Sequence, residues 1–317
     1  MTDTQRGISR RAALSVALAL TCVANSTGCA ESQKAESSPK ISIAQARQTL
    51  ATIRALHTEK KPSQAGDWLL THPEDGQTFA QFLKAHPQRA CDKYRRLYLQ
   101  PLGDFTAAQE KVLAATGECM ERFFGMPVVT NEVLALADLP ASARRTHPTW
   151  KMPQVLSTHL LDKVLKPRCP RDAAALLGLT ASDLWPGEDW NFVFGQASLV
   201  DRVGVWSIYR NGEVEGTDEE RTLFLRRTLQ TALHETGHMF GIPHCIAYEC
   251  GMNGSNSLRE SDRQPMEFCP ECQAKVWWTC GVLPRERYEK LLAFAKEHQL
   301  DDEAKFWEQS LAKLSPQ

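Results

Sequence analysis

The stretch that most constrains the fold runs from His234 to Cys272 and joins a histidine motif to two cysteine pairs. It begins HETGHMFGIPH, so three histidines and a glutamate follow the spacing HExxHxxGxxH. On a helix, His234 and His238 project from one face about a turn apart. Two neutral imidazoles at that separation suit a tetrahedral zinc ion. The stretch therefore predicts a helix that carries a catalytic metal.

The other residues of the motif have distinct predicted roles. Glu235 is placed to act on a metal-bound water as general base. Gly241 can adopt a positive φ and turn the chain off the helix, so that His244 returns as a third ligand. A bare HExxH string arises by chance, whereas the full motif is a far more specific metzincin signature. The alternative is a set of structural histidines on a buried helix.

The four cysteines of the stretch predict a second metal site. Cys245 and Cys250 are separated by four residues, and Cys269 and Cys272 by two. Both spacings are typical of structural zinc. Two disulfides are the alternative, but a CxxC disulfide is tight and strained, which favours zinc. Met252 is predicted to form an apolar floor beneath the catalytic metal.

Residues 1–29 are predicted to be an export signal. Arg6, Arg10 and Arg11 precede an apolar run, Ala12 to Ala24, that is too short to span a bilayer. The sequence STGC, which ends at Cys29, is similar to a lipoprotein cleavage box, and SRR at the start is similar to a twin-arginine signal. We therefore expect a membrane-anchored lipoprotein of a bacterial cell envelope, or a cytoplasmic protein if the signal is not used. A buried N-terminal helix is the alternative.

The composition is informative mainly about binding partners. The formal net charge is -1, with 42% hydrophobic residues. This balance gives no support for a nucleic-acid or acidic-membrane partner. The expected divisions after the signal are a tether with a helical extension (30–65), a catalytic domain (66–300) and a helical tail (301–317).

Strand-like and helical segments alternate along the central part of the chain, which indicates a mixed α/β layer. We predict a helix around Val155–Val164, a buried strand at Ala173–Leu179 and a strand-like segment at Asn191–Gln196. Val203–Tyr209 is predicted to be a strand at the sheet edge where an extended peptide would pair, with plain sheet core as the alternative. One long helix is predicted at Arg221–Phe240.

The cysteine and histidine motifs together resemble the archaemetzincin family of zinc metallopeptidases. The motifs are HExxHxxGxxHC, then CxM, then FCxxC, and Trp185–Arg210 is similar to that family's segment before the zinc helix. The resemblance covers roughly Gly66 to Leu292. It implies an α+β (mixed α/β) metzincin-like domain with a twisted mixed sheet, a long zinc-binding helix and a small cysteine-zinc subdomain, preceded by a helical extension.

The resemblance also implies an activity and its residues. Zinc would bind His234, His238 and His244, with Glu235 as base, and a second zinc would bind the four cysteines. The implied function is a zinc metallopeptidase in which Glu235 assists attack by a zinc-bound water, with aminopeptidase activity as one form of it. A peptide-binding pseudo-enzyme without turnover and a hydrolase of non-peptide bonds are the alternatives. The expected partner is a peptide or protein substrate, and the expected state is a monomer that meets membranes only through Cys29.

Four further cysteines fit no shared pattern: Cys91, Cys119, Cys169 and Cys280. Export would allow disulfides among them, with the pairing left open. Export would also expose the cysteine-zinc site to oxidation. A twin-arginine route, which moves folded proteins, would let zinc load before export.

Overall fold

The computed structural model describes residues 41–87 and 89–314, without the side chains of residues 91 and 92. The predicted signal and the acylation site at Cys29 lie outside the described residues. Within them, no helix has both the length and the apolar character needed to cross a membrane.

The described residues contain two sheets. The strands are β1 Arg96–Leu102, β2 Val128–Thr130, β3 Arg144–Thr146, β4 Pro153–Leu156, β5 Ala173–Thr180, β6 Asp183–Trp185, β7 Gly195–Ala197 and β8 Val203–Ser207. The larger sheet has the order β2-β1-β5-β8-β7 and is parallel except for β7, which is antiparallel to β8. The smaller sheet has the order β3-β4-β6. All eight residues of β5 are buried, as expected for a central parallel strand, which confirms the predicted strand at Ala173–Leu179.

Helices cover the sheet and form most of the two ends of the described chain. They are α1 Ile43–Ile53, α2 Trp68–Thr71, α3 Phe79–Lys84, α4 Ala90–Lys93, α5 Ala107–Phe124, α6 Ser157–His159, α7 Asp218–Met239, α8 Leu258–Ser261, α9 Pro270–Cys280, α10 Pro284–Glu297 and α11 Asp301–Lys313. Short 3₁₀ turns lie at Arg54–Leu56, Ala141–Ala143 and Lys166–Arg168, and a π-helical turn lies at Leu160–Leu165. The mixed α/β class is confirmed.

The helix α7, which carries the histidine motif, begins at a complete capping box. Thr217 Oγ1 accepts from the backbone N–H of Glu220, and a Glu220 carboxylate oxygen accepts from the Thr217 N–H at 2.8 Å. The helix ends at Met239, and Gly241 follows with φ 76°. Because α7 packs against β7 and β8, the histidine face lies next to the edge of the larger sheet.

Two predicted elements are wrong in part. The helix predicted from Val155 begins as the strand β4, because Val155 and Leu156 pair with Leu184 and Trp185 of β6. This cross-strand pairing overrides the helical pattern, and helix begins only at Ser157.

The sheet edge was also assigned to the wrong strand. The β8 strand, within the predicted Val203–Tyr209, lies between β5 and β7 and is sheet core, so the edge is β7. The predicted strand Asn191–Gln196 is confirmed only at its end, because the carbonyls of Trp190 and Asn191 accept from the Arg145 side chain. The chain reverses between β7 and β8, which form an antiparallel hairpin, and the sequence pattern does not indicate this reversal.

The outer helices share one core with the catalytic segment. The α1 helix packs on α9, and α11 packs on α10. Trp307 of α11 is fully buried, and its indole N–H donates to Glu267, which also forms a buried ion pair with Arg287. Both ends of the described chain therefore support the residues that follow the histidine motif.

Candidate metal centres

The three motif histidines converge at the C-terminal part of α7. One ring nitrogen from each histidine lies within 4.8 Å of the other two, and Nε2 of His234 is 2.9 Å from Nε2 of His238. A tetrahedral zinc with bonds of about 2.0–2.1 Å requires ligand atoms about 3.4 Å apart. The two nitrogens therefore need to separate by only about half an ångström to fit zinc.

Backbone carbonyls orient two of the rings. Nδ1 of His234 is 2.8 Å from the carbonyl oxygen of Gly251, and Nδ1 of His238 is 2.8 Å from that of Ile242. Because a carbonyl only accepts, each Nδ1 carries the proton and donates it. The Nε2 lone pair of each ring is consequently left for a metal.

A carboxylate orients the third ring. Nδ1 of His244 is 2.7 Å from Oε1 of Glu74, which also accepts from Nε1–H of Trp68 at 2.8 Å. Burial alone would raise the pKa of Glu74, but these hydrogen bonds hold it below its ordinary value. Glu74 was missed in the sequence. It lies within the region of family resemblance, Gly66 to Leu292, but no motif in the sequence singles it out.

The protonation of the histidines suits metal binding. Burial lowers the pKa of His234 well below its ordinary value and lowers that of His238 to about 4, with the neighbouring imidazoles as a second cause. Both rings are therefore neutral at neutral pH. Neutral imidazole is the form that binds a metal.

Glu235 lies beside this cluster in a tight space. Burial raises the pKa of its carboxyl to about 8, and Oε2 has no hydrogen-bond partner among the described residues. A divalent cation close by would favour the charged form and lower that pKa. A Cβ at Gly195 would overlap the Glu235 carboxylate, so a larger residue at this point of β7 would displace that carboxylate. Gly195 was not anticipated from the sequence.

Met252 lies beneath the histidine face. Its side chain is fully buried, and a Cβ at Gly237 would overlap its sulfur. Gly237 stands immediately before His238 on α7. The thioether therefore packs directly on the helix between the histidines, the position predicted for an apolar floor.

A cleft of about 990 Å³ opens over the histidines and Glu235. Aromatic side chains line part of it: Trp68, Trp190, Phe192 and Phe194. Among the described residues that line the cleft, none is lysine or arginine. A bound cation would therefore meet carboxylates and imidazoles without a competing positive side chain.

The four cysteines of the stretch form the second cluster. All are buried, their Sγ atoms lie within 4.8 Å of one another, and Sγ of Cys245 is 3.6 Å from Sγ of Cys269. Zinc–sulfur bonds of about 2.3 Å in a tetrahedron give a sulfur–sulfur distance of about 3.8 Å. No disulfide joins these four residues, and the tetrad is a candidate metal site.

The thiol chemistry also fits a metal. Hydrogen bonds from the other three thiols hold the pKa of Cys245 far below its ordinary value. Burial raises the pKa of Cys250, whose sulfur accepts from the backbone N–H of Cys269 at 3.0 Å. A divalent cation at such a cluster can take the place of the thiol protons and stabilise the sulfur atoms as thiolates.

Residues of the N-terminal extension cover the loop between Cys245 and Cys250. Glu59 forms an antiparallel bridge with Tyr248, and the Lys60 backbone N–H donates to the carbonyl of Ala247 at 3.1 Å. The Lys60 ammonium also pairs with Glu249 at 3.0 Å. The stretch predicted as tether and extension therefore contributes directly to the cysteine cluster's surroundings.

Two of the four further cysteines, for which disulfides were left open, form none in the structure. Cys119 and Cys169 are both free. Burial raises the pKa of Cys119 to about 12, so this thiol in α5 is unreactive.

Comparisons with known proteins identify relatives of this chain. The model for Peptidase family M54 matches residues 167–277, which include both clusters. Archaemetzincin-2 of Macaca fascicularis is 34% identical over 271 residues, covering 75% of this chain and 73% of that protein. Human Archaemetzincin-1 is 30% identical over 263 residues, covering 73% of this chain and 52% of that protein. The crystal structure of archaemetzincin from Archaeoglobus fulgidus, complexed with malonate, is 31% identical, covers 57% of this chain and 99% of that chain, and has a TM-score of 0.44.

The resemblance inferred from the sequence is therefore confirmed by relatives that match about three quarters of the chain. Identity to Archaemetzincin-2 extends over three quarters of the chain and well beyond the metal motifs. The chain belongs to the archaemetzincin family of zinc metallopeptidases, peptidase family M54.

Proposed function

We propose that the protein hydrolyses peptide bonds at the histidine cluster, with zinc held by His234, His238 and His244 and with Glu235 as general base. One observation carries the proposal. Each histidine donates its Nδ1 proton to a fixed acceptor, which leaves three Nε2 atoms in the same cleft as the unpartnered carboxylate oxygen of Glu235.

The residues divide the chemistry between them. Zinc at this site would act as a Lewis acid and make water a stronger nucleophile at neutral pH. Glu235 accepts a proton from the attacking water as the water oxygen bonds to the carbonyl carbon. The same carboxyl then delivers that proton to the leaving nitrogen as the C–N bond breaks. Buried walls around Glu235 exclude bulk water from this transfer.

The substrate chain is proposed to bind along β7. This strand is the edge of the larger sheet and passes Glu235 at Gly195. An edge strand presents unpaired backbone groups, to which an extended peptide can add as a further strand. The aromatic side chains of the cleft would contact apolar side chains of the peptide.

The second zinc is proposed to be structural and bound by the four cysteines. Its supporting observation is the buried tetrad of sulfur atoms. The backbone N–H of Cys245 donates to the carbonyl of Met252 at 2.8 Å, so the cysteine loop is tied to the floor beneath the histidines. A metal at the cysteines would thereby hold His244 and Met252 in place.

Digestion of a peptide library tests the activity and its mode. We expect the zinc-loaded protein to cut library peptides, because the site holds both a metal-binding cluster and a base. A matched set with acetylated amino termini separates the modes, since amino-terminal trimming requires a free amine and internal cleavage does not. A library that remains intact, but binds, would identify a peptide-binding pseudo-enzyme instead.

The export and anchoring predicted for residues 1–29 remain a proposal. We expect the full-length protein, expressed in a bacterium, to fractionate with the envelope, and Cys29→Ala to abolish its acylation. Mass spectrometry of the mature amino terminus and cell fractionation would measure both. An uncleaved amino terminus on a protein found in the cytoplasm would contradict the proposal. It would also contradict the expected lipid anchor at Cys29.

A further inference from the structure

The Nδ1 partner of His244 differs from those of the other two histidines. His234 and His238 donate to carbonyls close to α7, whereas His244 donates to the Glu74 carboxylate from 170 residues earlier in the chain. Glu74 lies outside residues 167–277, which match the family model. A residue at such separation can hold His244 only if its own segment is held in turn.

Trp68 fixes this segment from one side. Its indole N–H donates to the same Glu74 oxygen, and its backbone N–H donates to Oε1 of Glu260 at 2.9 Å. Its ring meets that of His244 edge to face, with centroids 5.3 Å apart. A Cβ at Gly254 would overlap the Trp68 ring, so the indole lies directly on that backbone.

Side chains of the loop after Met252 fix the same segment at two more points. The Asn256 amide donates to the carbonyl of Gly66 and to Oγ1 of Thr71, both at 3.1 Å. Arg263 pairs with Asp67 at 2.6 Å. The segment from Gly66 to Thr71 is consequently attached to the loop that follows the methionine.

A tight turn then presents the carboxylate. Gly76 has φ +64°, and a Cβ there would lie 2.7 Å from Cγ1 of Ile246. Ile246 is two residues after His244 in the chain. The turn that carries Glu74 is therefore packed against the same short segment that carries the third histidine.

We propose that Glu74 is a positioning residue for the catalytic metal centre, acting through His244, with Trp68 holding the carboxylate in place. The inference rests on the proposed zinc at the three histidines. By accepting the Nδ1 proton, Glu74 fixes the tautomer in which Nε2 of His244 is free. Its negative charge also makes the imidazole a stronger ligand. Partners of this kind typically contribute about 10–100-fold in metal affinity.

Zinc affinity of the histidine site provides the test. We expect Glu74→Ala to weaken zinc binding there by roughly 10–100-fold, measured by competition with a chelator of known affinity. Glu74→Gln keeps an oxygen acceptor without the charge, so it should lose less than the alanine variant. Trp68→Phe removes the indole donor together with part of the ring that lies on Gly254, and should fall between wild type and Glu74→Ala. The cysteine site should keep its zinc in all three.

Two controls separate positioning from general stability. Glu118→Gln removes a carboxylate of α5 that pairs with Arg122, a residue outside both clusters, and should leave zinc affinity unchanged. Cobalt substituted at the histidine site should show an altered visible spectrum in Glu74→Ala. The melting temperature of the protein with its histidine site metal-free should be the same in Glu74→Ala and wild type. Unchanged zinc affinity in Glu74→Ala would overturn the inference. If wild type itself bound no metal at the histidines, the proposed function would fail instead, so the two failures are distinguishable.

Discussion

Replacing Glu235 by alanine is expected to lower the rate of peptide hydrolysis by about 10²–10⁴-fold while the protein keeps its metals, since a positioned general base contributes a factor of this size. The reason is local. Glu235 lies in the same cleft as the three histidines and has a buried carboxylate oxygen without a partner among the described residues, whereas the Glu74 carboxylate is hydrogen-bonded to His244 and Trp68. Among the described acidic residues of the cleft, Glu235 alone stands next to a motif histidine in the sequence, on the helix that carries His234 and His238. The measurement is kcat on a cleaved library peptide.

The comparison variants show which property of Glu235 matters. Glu235→Gln keeps the shape but cannot accept a proton in the same way, so it should be nearly as inactive. Gly195→Ala leaves Glu235 in the chain but displaces its carboxylate, and should therefore also be impaired. Metal analysis should find wild-type zinc content in all three variants. Wild-type turnover in Glu235→Ala would remove this residue from the mechanism.

The histidine and cysteine clusters were predictable because their ligands lie close together in sequence. A helical spacing of four places His234 and His238 on one face whatever the rest of the fold does. The return of His244 needs only the turn at Gly241, which has the expected positive φ. The cysteine pairs likewise form two local chelating units. Their meeting in one tetrad required only that the intervening loop close.

The residues that were missed depend on contacts between distant parts of the chain. Glu74 reaches His244 only because Glu260 holds Trp68 and because Gly76 packs against Ile246. Gly195 is informative only once β7 is known to pass over Glu235. The edge strand was misassigned for the same reason, because strand order is a long-range property that β-branched composition does not encode.

The second large effect concerns the cysteine site, which we expect to keep its zinc under mild chelation that empties the histidine site. The four cysteines are buried, and none is more than 6% exposed, whereas the histidines are half-buried and open to the cleft. Glu59 and Lys60 also contact the loop between Cys245 and Cys250, through Tyr248 and Glu249. Elemental analysis should give two zinc ions per chain before chelation and one afterwards.

Loss of that remaining ion should unfold part of the protein. In Cys269→Ala the sulfur tetrad loses a ligand from the start of α9, and its buried partners lose their shared cation. Structural zinc supplies folding free energy directly, about 10–16 kcal/mol in zinc-finger peptides. Losing even a fraction of this should lower the melting temperature by roughly 10 °C or more, at about 2–4 °C per kcal/mol. His238→Ala is the matched control, since it should lose one zinc with little change in melting temperature. Equal melting temperatures for the two variants would show that the cysteine metal does not hold the fold together.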